Sequence, residues 1–574
     1  MSNYFGTGSV GEPLIIPQQR SQLGNPMGDS RAAQKPHRDR SSPPGSRTAP
    51  AVPLWATLFI AMSAGVILDA AFPDRGWWFL APVGIVLMLW SLLGRGPWTG
   101  LLVGLVAGFS FWGVHIYWLT VYLGPLPWLG LAGLQAIFFG VSLSLVAVVL
   151  RWGPRLWPTR FGRLGAVPVV VAGLWTAREA FTAVWPYGGF AWGRVALSQS
   201  ESPFNSLAAW VGLSGLSFIL VWLSAFVVQL GREAQIGRVA RWAVAAGLVG
   251  ILLAFPAWPV IQTGTTRLAA VQGGSDAALF ARYPPGQILA DHVAATEPLI
   301  GEKVDFVVWP ENSTDLDPIR FPQAAESVDR ISRSMGAPLV TSTITERDGE
   351  YYNTSLLWDE GRGVIDRYDK VHPVPFGEYV PDRAFWRSLA PDLVDLIGRD
   401  YAKGTGGNVI GIDDILAGIA ISFEIVDDQL IREMIDGNAQ IILAQTNTAD
   451  FGRTDESVQQ LAIARLRAIE TGRTVVNIST VGSSAIITPD GRTIDSVPTW
   501  EAGAMVRTVP LSDTVTPAVT FGRGIEWLGS GLGLAGLALC LVRAGSWSVS
   551  GRAAARLSSD RLDGCTPDGR RSHR

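Results

Sequence analysis

The sequence predicts a polytopic α-helical membrane protein with an inserted α/β domain, on three observations. Hydrophobic residues make up 48% of the 574-residue chain and charged residues 17%, with 23 tryptophans. Seven long apolar runs follow one another between Ala51 and Ile261, and an eighth covers Ile525–Val542. Between them, Thr266 to about Val515 alternates short apolar runs with amphipathic stretches, the pattern of strands and helices packed on a sheet.

The first 49 residues are rich in Ser, Pro, Gly, Gln and Arg and lack apolar periodicity. They predict a disordered tail without the apolar core of a cleaved signal peptide. The expected spans are Ala51–Phe72, Trp77–Gly94, Trp98–Gly124, Leu126–Leu150, Gly165–Trp185, Ser206–Leu230 and Ala240–Ile261. Each is near or above the ~20 residues that cross a bilayer as a helix. Arginines mark alternate connections: Arg95, then Arg151, Arg155, Arg160 and Arg163, then Arg232, Arg238 and Arg241. With Arg31, Lys35 and Arg38 before the first span and Arg543 and Arg552 after the last, the positive-inside rule predicts cytoplasmic termini. The segment after the seventh span is then outside. Asp69, His115 and the pair Arg178-Glu179 interrupt the apolar runs; Asp69 and Arg178-Glu179 lie near span ends, where snorkelling would satisfy them.

In the inserted segment, strands are predicted at 267–271, 305–309, 338–343, 352–358, 364–368, 415–421, 439–444, 474–478 and 484–487. Helices are predicted at 288–300, 322–334, 427–436 and 457–471. The strands are apolar almost throughout, so the sheets should be covered on both faces.

Composition removes several function classes. The net charge of −3 implies no polyanionic partner, and no nucleic acid is expected. The two cysteines, Cys540 and Cys565, form no CxxC pair, and the five histidines show no metal-ligand spacing. Neither a metal nor another cofactor is expected.

Three predicted strand ends carry groups able to do chemistry, at the edge where open α/β sheets build their sites. Glu311 follows Val307-Val-Trp-Pro, Lys370 opens the proline-rich loop Val371–Pro381, and Ser422 ends the strand Ala417–Ile421. An acid can move a proton from a nucleophile to a leaving group. A fixed ammonium can stabilise an oxyanion, and a hydroxyl can carry an acyl group.

In this order the residues resemble the carbon–nitrogen hydrolase (nitrilase) superfamily, whose α-β-β-α sandwich carries a Glu–Lys–Cys triad. With the membrane spans they resemble the apolipoprotein N-acyltransferase family, in which such a domain is inserted between the seventh and eighth helices. The motifs that carry the likeness are Trp309-Pro-Glu311, Tyr352-Asn-Thr354, Tyr368-Asp-Lys370, Pro375-Phe-Gly-Glu-Tyr-Val-Pro381 and the run from Ala464 to Arg473. The resemblance implies Glu311 as general base, Lys370 as oxyanion stabiliser, Glu378 and Glu424 as supporting acids, and Phe423 at a usually aromatic position. Ser422 stands where the family has its acyl-accepting cysteine, and no cysteine occurs between Thr266 and Val515. The family's Asn-Asp-aromatic pattern appears as Asn447-Thr-Ala-Asp-Phe451.

The implied organisation is a cytoplasmic tail over 1–49, a seven-helix domain over 50–263, a nitrilase-like extracytoplasmic domain over 264–515, a last membrane helix over 516–545 and a cytoplasmic tail over 546–574. The implied activity is transfer of a fatty acyl chain from a phospholipid, through an acyl-enzyme, to the N-terminal diacylglyceryl-cysteine of a bacterial lipoprotein at the cell membrane. A second reading follows from Ser422: a catalytically impaired homologue that binds lipoproteins or a partner.

Overall fold

The computed structural model describes residues 50, 52–278 and 281–563, with the backbone path alone for 545–563. The expected tail over 1–49 and the last residues of the chain lie outside the described residues. The membrane part consists of Leu54–Asp69 (α1), Leu80–Ser91 (α2), Pro97–His115 (α3), Leu119–Leu123 (α4), Pro125–Leu156 (α5), Val167–Thr182 (α6), Ala208–Arg232 (α7) and Arg238–Leu253 (α8).

Among the described residues, five helical stretches are long and apolar enough to cross a membrane: Pro97–His115, Pro125–Leu156, Gly162–Thr182, Asn205–Arg232 and Pro517–Ala544. The helices α1 and α2 are apolar but shorter, and α8 has 16 residues, none of them buried. Apolar runs thus overstate helix length, because turns at both ends are apolar too. The run Trp98–Gly124 divides at Ile116, which leaves helical geometry at φ −112° and ψ 27°.

His115 and the pair Arg178-Glu179 turn inward, and Asp69 closes α1 against His115. His115 Nδ1 lies 3.2 Å from Asp69 Oδ1. Glu179, only 3% exposed, accepts from Trp175 Nε1 at 2.8 Å, from Val195 N–H at 3.1 Å and from Arg178 at 3.2 Å. The Arg178 guanidinium sits over the Phe139 and Trp175 rings, at 3.9 and 4.4 Å from their centroids. Lost hydration is replaced by ring faces and a carboxylate.

The inserted segment contains Gln262–Gln272 (β1), Gln287–Thr296 (α9), Phe306–Val308 (β2), Pro322–Met335 (α10), Leu339–Arg347 (β3), Glu350–Asp359 (β4), Gly363–Asp369 (β5), Arg383–Leu389 (α11), Pro391–Leu396 (α12), Val409–Ile412 (β6), Ile415–Ile421 (β7), Asp428–Asp436 (α13), Ile441–Thr446 (β8), Glu456–Thr471 (α14), Thr474–Ser479 (β9), Ser484–Ile487 (β10), Thr493–Val497 (β11) and Gly503–Ser512 (β12). Helix α15 follows at Pro517–Asp563.

The strands form two six-stranded sheets, in the orders β12-β1-β2-β3-β4-β5 and β11-β10-β9-β8-β7-β6. Their inner faces meet in one core, where Leu268, Phe306 and Val340 pack with Ile419, Leu443 and Val476. Val293 of α9 and Val328 and Ile331 of α10 cover the first sheet outside. Met434 of α13 and Ile463 and Leu466 of α14 cover the second, and their cluster runs on into the membrane helices. The layers are therefore helix, sheet, sheet, helix, with the second helix layer seated on the membrane part.

Two devices make that seat. Gly212 breaks helix α7 at φ 70°, a conformation that glycine adopts without steric cost. The Leu213 N–H lies at this break and donates to Glu470 of α14 at 3.3 Å. On the loop after α6, Arg194 pairs with Asp428 at 2.7 Å, and Asp428 also pairs with Arg467 of α14 at 2.7 Å. Both arginine side chains are nearly fully buried.

Candidate active site

The strand β2 ends two residues before Pro310, and the chain turns at Asn312 with φ 53°, which aims Glu311 across the sandwich. Glu311 is 4% exposed. Its Oε1 accepts from Asn353 Nδ2 at 2.7 Å, and its Oε2 accepts from the Asn447 N–H at 2.8 Å. Burial pushes its carboxyl up to about 7; Lys370 opposes the rise and Glu378 adds to it.

Lys370 follows β5 directly and is 1% exposed. The sheet holds its backbone, with its N–H donating to Asn353 O at 2.8 Å. Its Nζ lies 2.9 Å from Glu378 Oε2 and 3.5 Å from Glu311 Oε1. Burial works against charging it, but Glu378, Glu311 and Glu424 outweigh burial and hold its pKa above the ordinary value, so it is an ammonium. Glu378 accepts from Asn353 Nδ2 at 2.8 Å and from the Val374 N–H at 2.7 Å. One amide nitrogen thus ties both carboxylates that flank the ammonium.

Ser422 begins a 3₁₀ turn, Ser422–Val426, immediately after β7. Its φ is 54°, the left-handed region that costs a side-chain-bearing residue about 1–2 kcal/mol. The strain is held in place by Glu424, fully buried two residues on. The Glu424 carboxylate accepts from Tyr368 OH at 2.8 Å, Val371 N–H at 2.8 Å, His372 N–H at 3.1 Å and Ile421 N–H at 3.0 Å. Burial raises its pKa against the pull of Lys370 and these donors. Glu424 therefore clamps the Ser422 elbow to the loop that begins at Lys370. Strand register brings in Glu311: Ile421 pairs with Gln445 on β8, and the Asn447 N–H two residues later is a donor to Glu311.

Phe423 points to the membrane part. Its ring stacks on Phe190 at 5.8 Å and on Trp192 at 5.9 Å, within 7° of parallel in both cases. All six residues singled out from the sequence thus converge on one region, where strand ends meet membrane-side aromatics.

Sequence motifs contain Asn353, Asn447 and Tyr368 without marking their role, which is to hold the acids in place. No periodicity marks such residues. The available signal was their place inside the motifs Tyr352-Asn-Thr354, Asn447-Thr-Ala-Asp-Phe451 and Tyr368-Asp-Lys370.

The chain matches two family models. Residues 64–226 match the apolipoprotein N-acyltransferase N-terminal domain, and residues 267–516 match the carbon–nitrogen hydrolase model. A relative from Mycolicibacterium smegmatis, named apolipoprotein N-acyltransferase, is 31% identical over 85% of this chain and 85% of its own. One of the same name from Azotobacter vinelandii is 28% identical, over 88% of this chain and 97% of its own. A solved amidase from Nesterenkonia sp. is similar at 18% identity over 45% of this chain and 94% of its own, with a TM-score of 0.34. By its membrane helices, its α/β sandwich and its likeness to these relatives over most of its length, the chain belongs to the apolipoprotein N-acyltransferase family.

Proposed function

We propose that this chain is an apolipoprotein N-acyltransferase that works through an ester on Ser422. The observation that carries the reading is the buried Glu311–Lys370–Glu378 cluster beside the strained Ser422 elbow. In the first half-reaction Ser422 Oγ attacks the ester carbonyl of a phospholipid. Its proton passes to Glu311, and the Lys370 ammonium stabilises the oxyanion. Collapse expels the lysophospholipid alkoxide, which takes the proton back from Glu311. In the second half-reaction the α-amine of a diacylglyceryl-cysteine attacks the Ser422 ester, and the acyl chain leaves as an amide.

A base with a carboxyl near 7 suits this use better than an ordinary carboxylate. A hydroxyl is a weaker acid than a thiol, and a more basic partner narrows the gap. The membrane part has its own purpose, since both substrates are lipids and Phe423 stacks on Phe190 and Trp192, on the connection between α6 and α7.

The topology belongs to the same proposal. Eight spans, three of them on short helices, place both termini in the cytoplasm and the nitrilase-like domain on the extracytoplasmic face of the plasma membrane. The arginine-rich connections support this. The corresponding divisions are 50–263, 264–515 and 516–545, between cytoplasmic tails at 1–49 and 546–574.

The test compares the parent chain with Ser422→Ala and Ser422→Cys in bacteria depleted of their own N-acyltransferase. The N-terminus of a reporter lipoprotein is read by mass spectrometry. Acylation by the parent and none by the alanine variant is the expected result. Equal background from both, with gain only in the cysteine variant, would assign the chain to a non-catalytic binding role instead.

A further inference from the structure

Glu456 opens helix α14 and is 4% exposed. Its Oε2 is buried and has no hydrogen-bond partner. It does not cap the helix, whose N-terminus has no side-chain cap. A buried carboxyl left without a donor costs about 1–3 kcal/mol or more, so such a group calls for a function.

The segment that carries Glu456 is the one that holds the base. It starts at Asn447, whose N–H donates to Glu311 and whose Oδ1 accepts from Thr480 Oγ1 at 2.8 Å. One helical turn after Glu456, Gln459 Oε1 accepts from Trp192 Nε1 at 2.6 Å and from Trp118 Nε1 at 3.2 Å. Trp192 in turn stacks on Phe423, the neighbour of Ser422. Glu456 thus starts the turn that links the loop holding the base to the aromatic wall beside the nucleophile. Burial, Glu311 and Asp450 together push its carboxyl up to about 8, so near neutral pH it is a cation coming beside it that brings out the carboxylate.

A buried acid among acids suits a cationic ligand with N–H donors. Of the two substrates in the proposed function, a phospholipid can carry an ammonium only on its headgroup, away from the ester that reacts, whereas the α-ammonium of the lipopeptide is itself the reacting atom. Proton balance points the same way. Attack of R–NH3+ on the Ser422 ester yields the amide, the free hydroxyl and one H+, so two protons leave the nitrogen. Glu311 returns one of them to Ser422 Oγ, and the other needs a second acceptor before the amine can attack.

We propose that the Glu456 carboxylate receives the α-ammonium of the acceptor lipopeptide and takes its first proton, leaving Glu311 free for the second. This rests on the acyl-transfer reading, and the test separates the two. Full-length protein carrying Ser422→Ala is placed in nanodiscs, so that nothing turns over. Binding is measured for a synthetic diacylglyceryl-cysteine lipopeptide with a free α-amine and for its N-acetylated form. The expected result is a tenfold or greater preference for the free amine. Adding Glu456→Gln abolishes the preference and leaves the affinity of the acetylated form unchanged, while Glu456→Asp restores part of it.

Absence of any preference, its survival in the glutamine variant, or equal weakening of both lipopeptides would each overturn the assignment. A parallel incubation of the Ser422 protein with phospholipid, searched for an ester by mass spectrometry, judges the acyl-transfer reading separately. If no ester forms there while the amine preference holds, the subsite stands and the catalytic reading falls.

Discussion

Asn353→Leu tests how the base is tuned. The Asn353 Nδ2 group donates to Glu311 at 2.7 Å and to Glu378 at 2.8 Å. Its Oδ1 is buried and unpartnered, so a leucine of similar shape strands no acceptor in return. A hydrogen bond to a charged group is worth ~1.5–3 kcal/mol. Losing it from Glu311 selectively destabilises the ionised base, and each ~1.36 kcal/mol moves a pKa by about one. Starting from about 7, the ionised fraction at neutral pH should fall roughly ten- to a hundredfold. For a base the sign is fixed: only the carboxylate accepts the Ser422 proton, so the rate rises with pH through the pKa. The rise should move to higher pH in the variant. The assay is single-turnover release of lysophospholipid from a fluorescent phospholipid in nanodiscs, read from pH 5 to about 10. Activity recovered at high pH marks a titration effect, whereas a uniform loss marks damage. An unchanged pH profile with unchanged rate would refute the claim that Asn353 sets the basicity of Glu311.

Three further outcomes are expected. Lys370→Met leaves Glu311 and Glu378 buried without their ammonium, and it should cost ~3–5 kcal/mol of stability and a factor on the order of 10²–10³ in acyl-enzyme formation; a variant acylating at the parental rate would remove Lys370 from the mechanism. Asp428→Asn takes from buried Arg194 the carboxylate it pairs with at the seat between the membrane part and α14, while Arg467 keeps Glu470. Because the Asp428 side chain keeps 29% exposure, the loss should stay near ~3 kcal/mol, the low end for buried pairs, and a melting curve in detergent that does not move would contradict it. Gly173 meets Gly529 and Gly533 where α6 crosses α15, with no room for a Cβ, so Gly173→Leu should cost ~1–3 kcal/mol and expose α15 to added protease. Unaltered protection of α15 would show that the crossing is loose.

The strands found and missed from sequence divide along a physical line. The apolar runs located β1, β2, β3, β4, β7, β8, β9 and β10, and also β5. The missed strands β6, β11 and β12 all lie at sheet edges. Edge strands bury one side or less: β11 exposes most of its length, and β12 carries Arg507 and Pro510. β11 and β12 lack the continuous apolar signal on which a sequence reading depends, and β6 is apolar but only four residues long.

By itself the sequence determined the sequence-local properties. Runs of apolar residues make membrane helices and covered strands wherever they fold, and strand ends bearing Glu311, Lys370 and Ser422 can be read from the chain in order. Only the tertiary structure decided what those groups are. Whether Glu311 is an ordinary carboxylate or one raised to about 7 depends on burial and on Asn353, Asn447 and Lys370, which arrive from other strands and loops. Whether Arg178 snorkels or lies over Phe139 depends on which helix packs beside it. Electrostatic and hydrogen-bond energies act through space, between residues separated by tens to hundreds of positions, and no local pattern records which partners the fold will bring together.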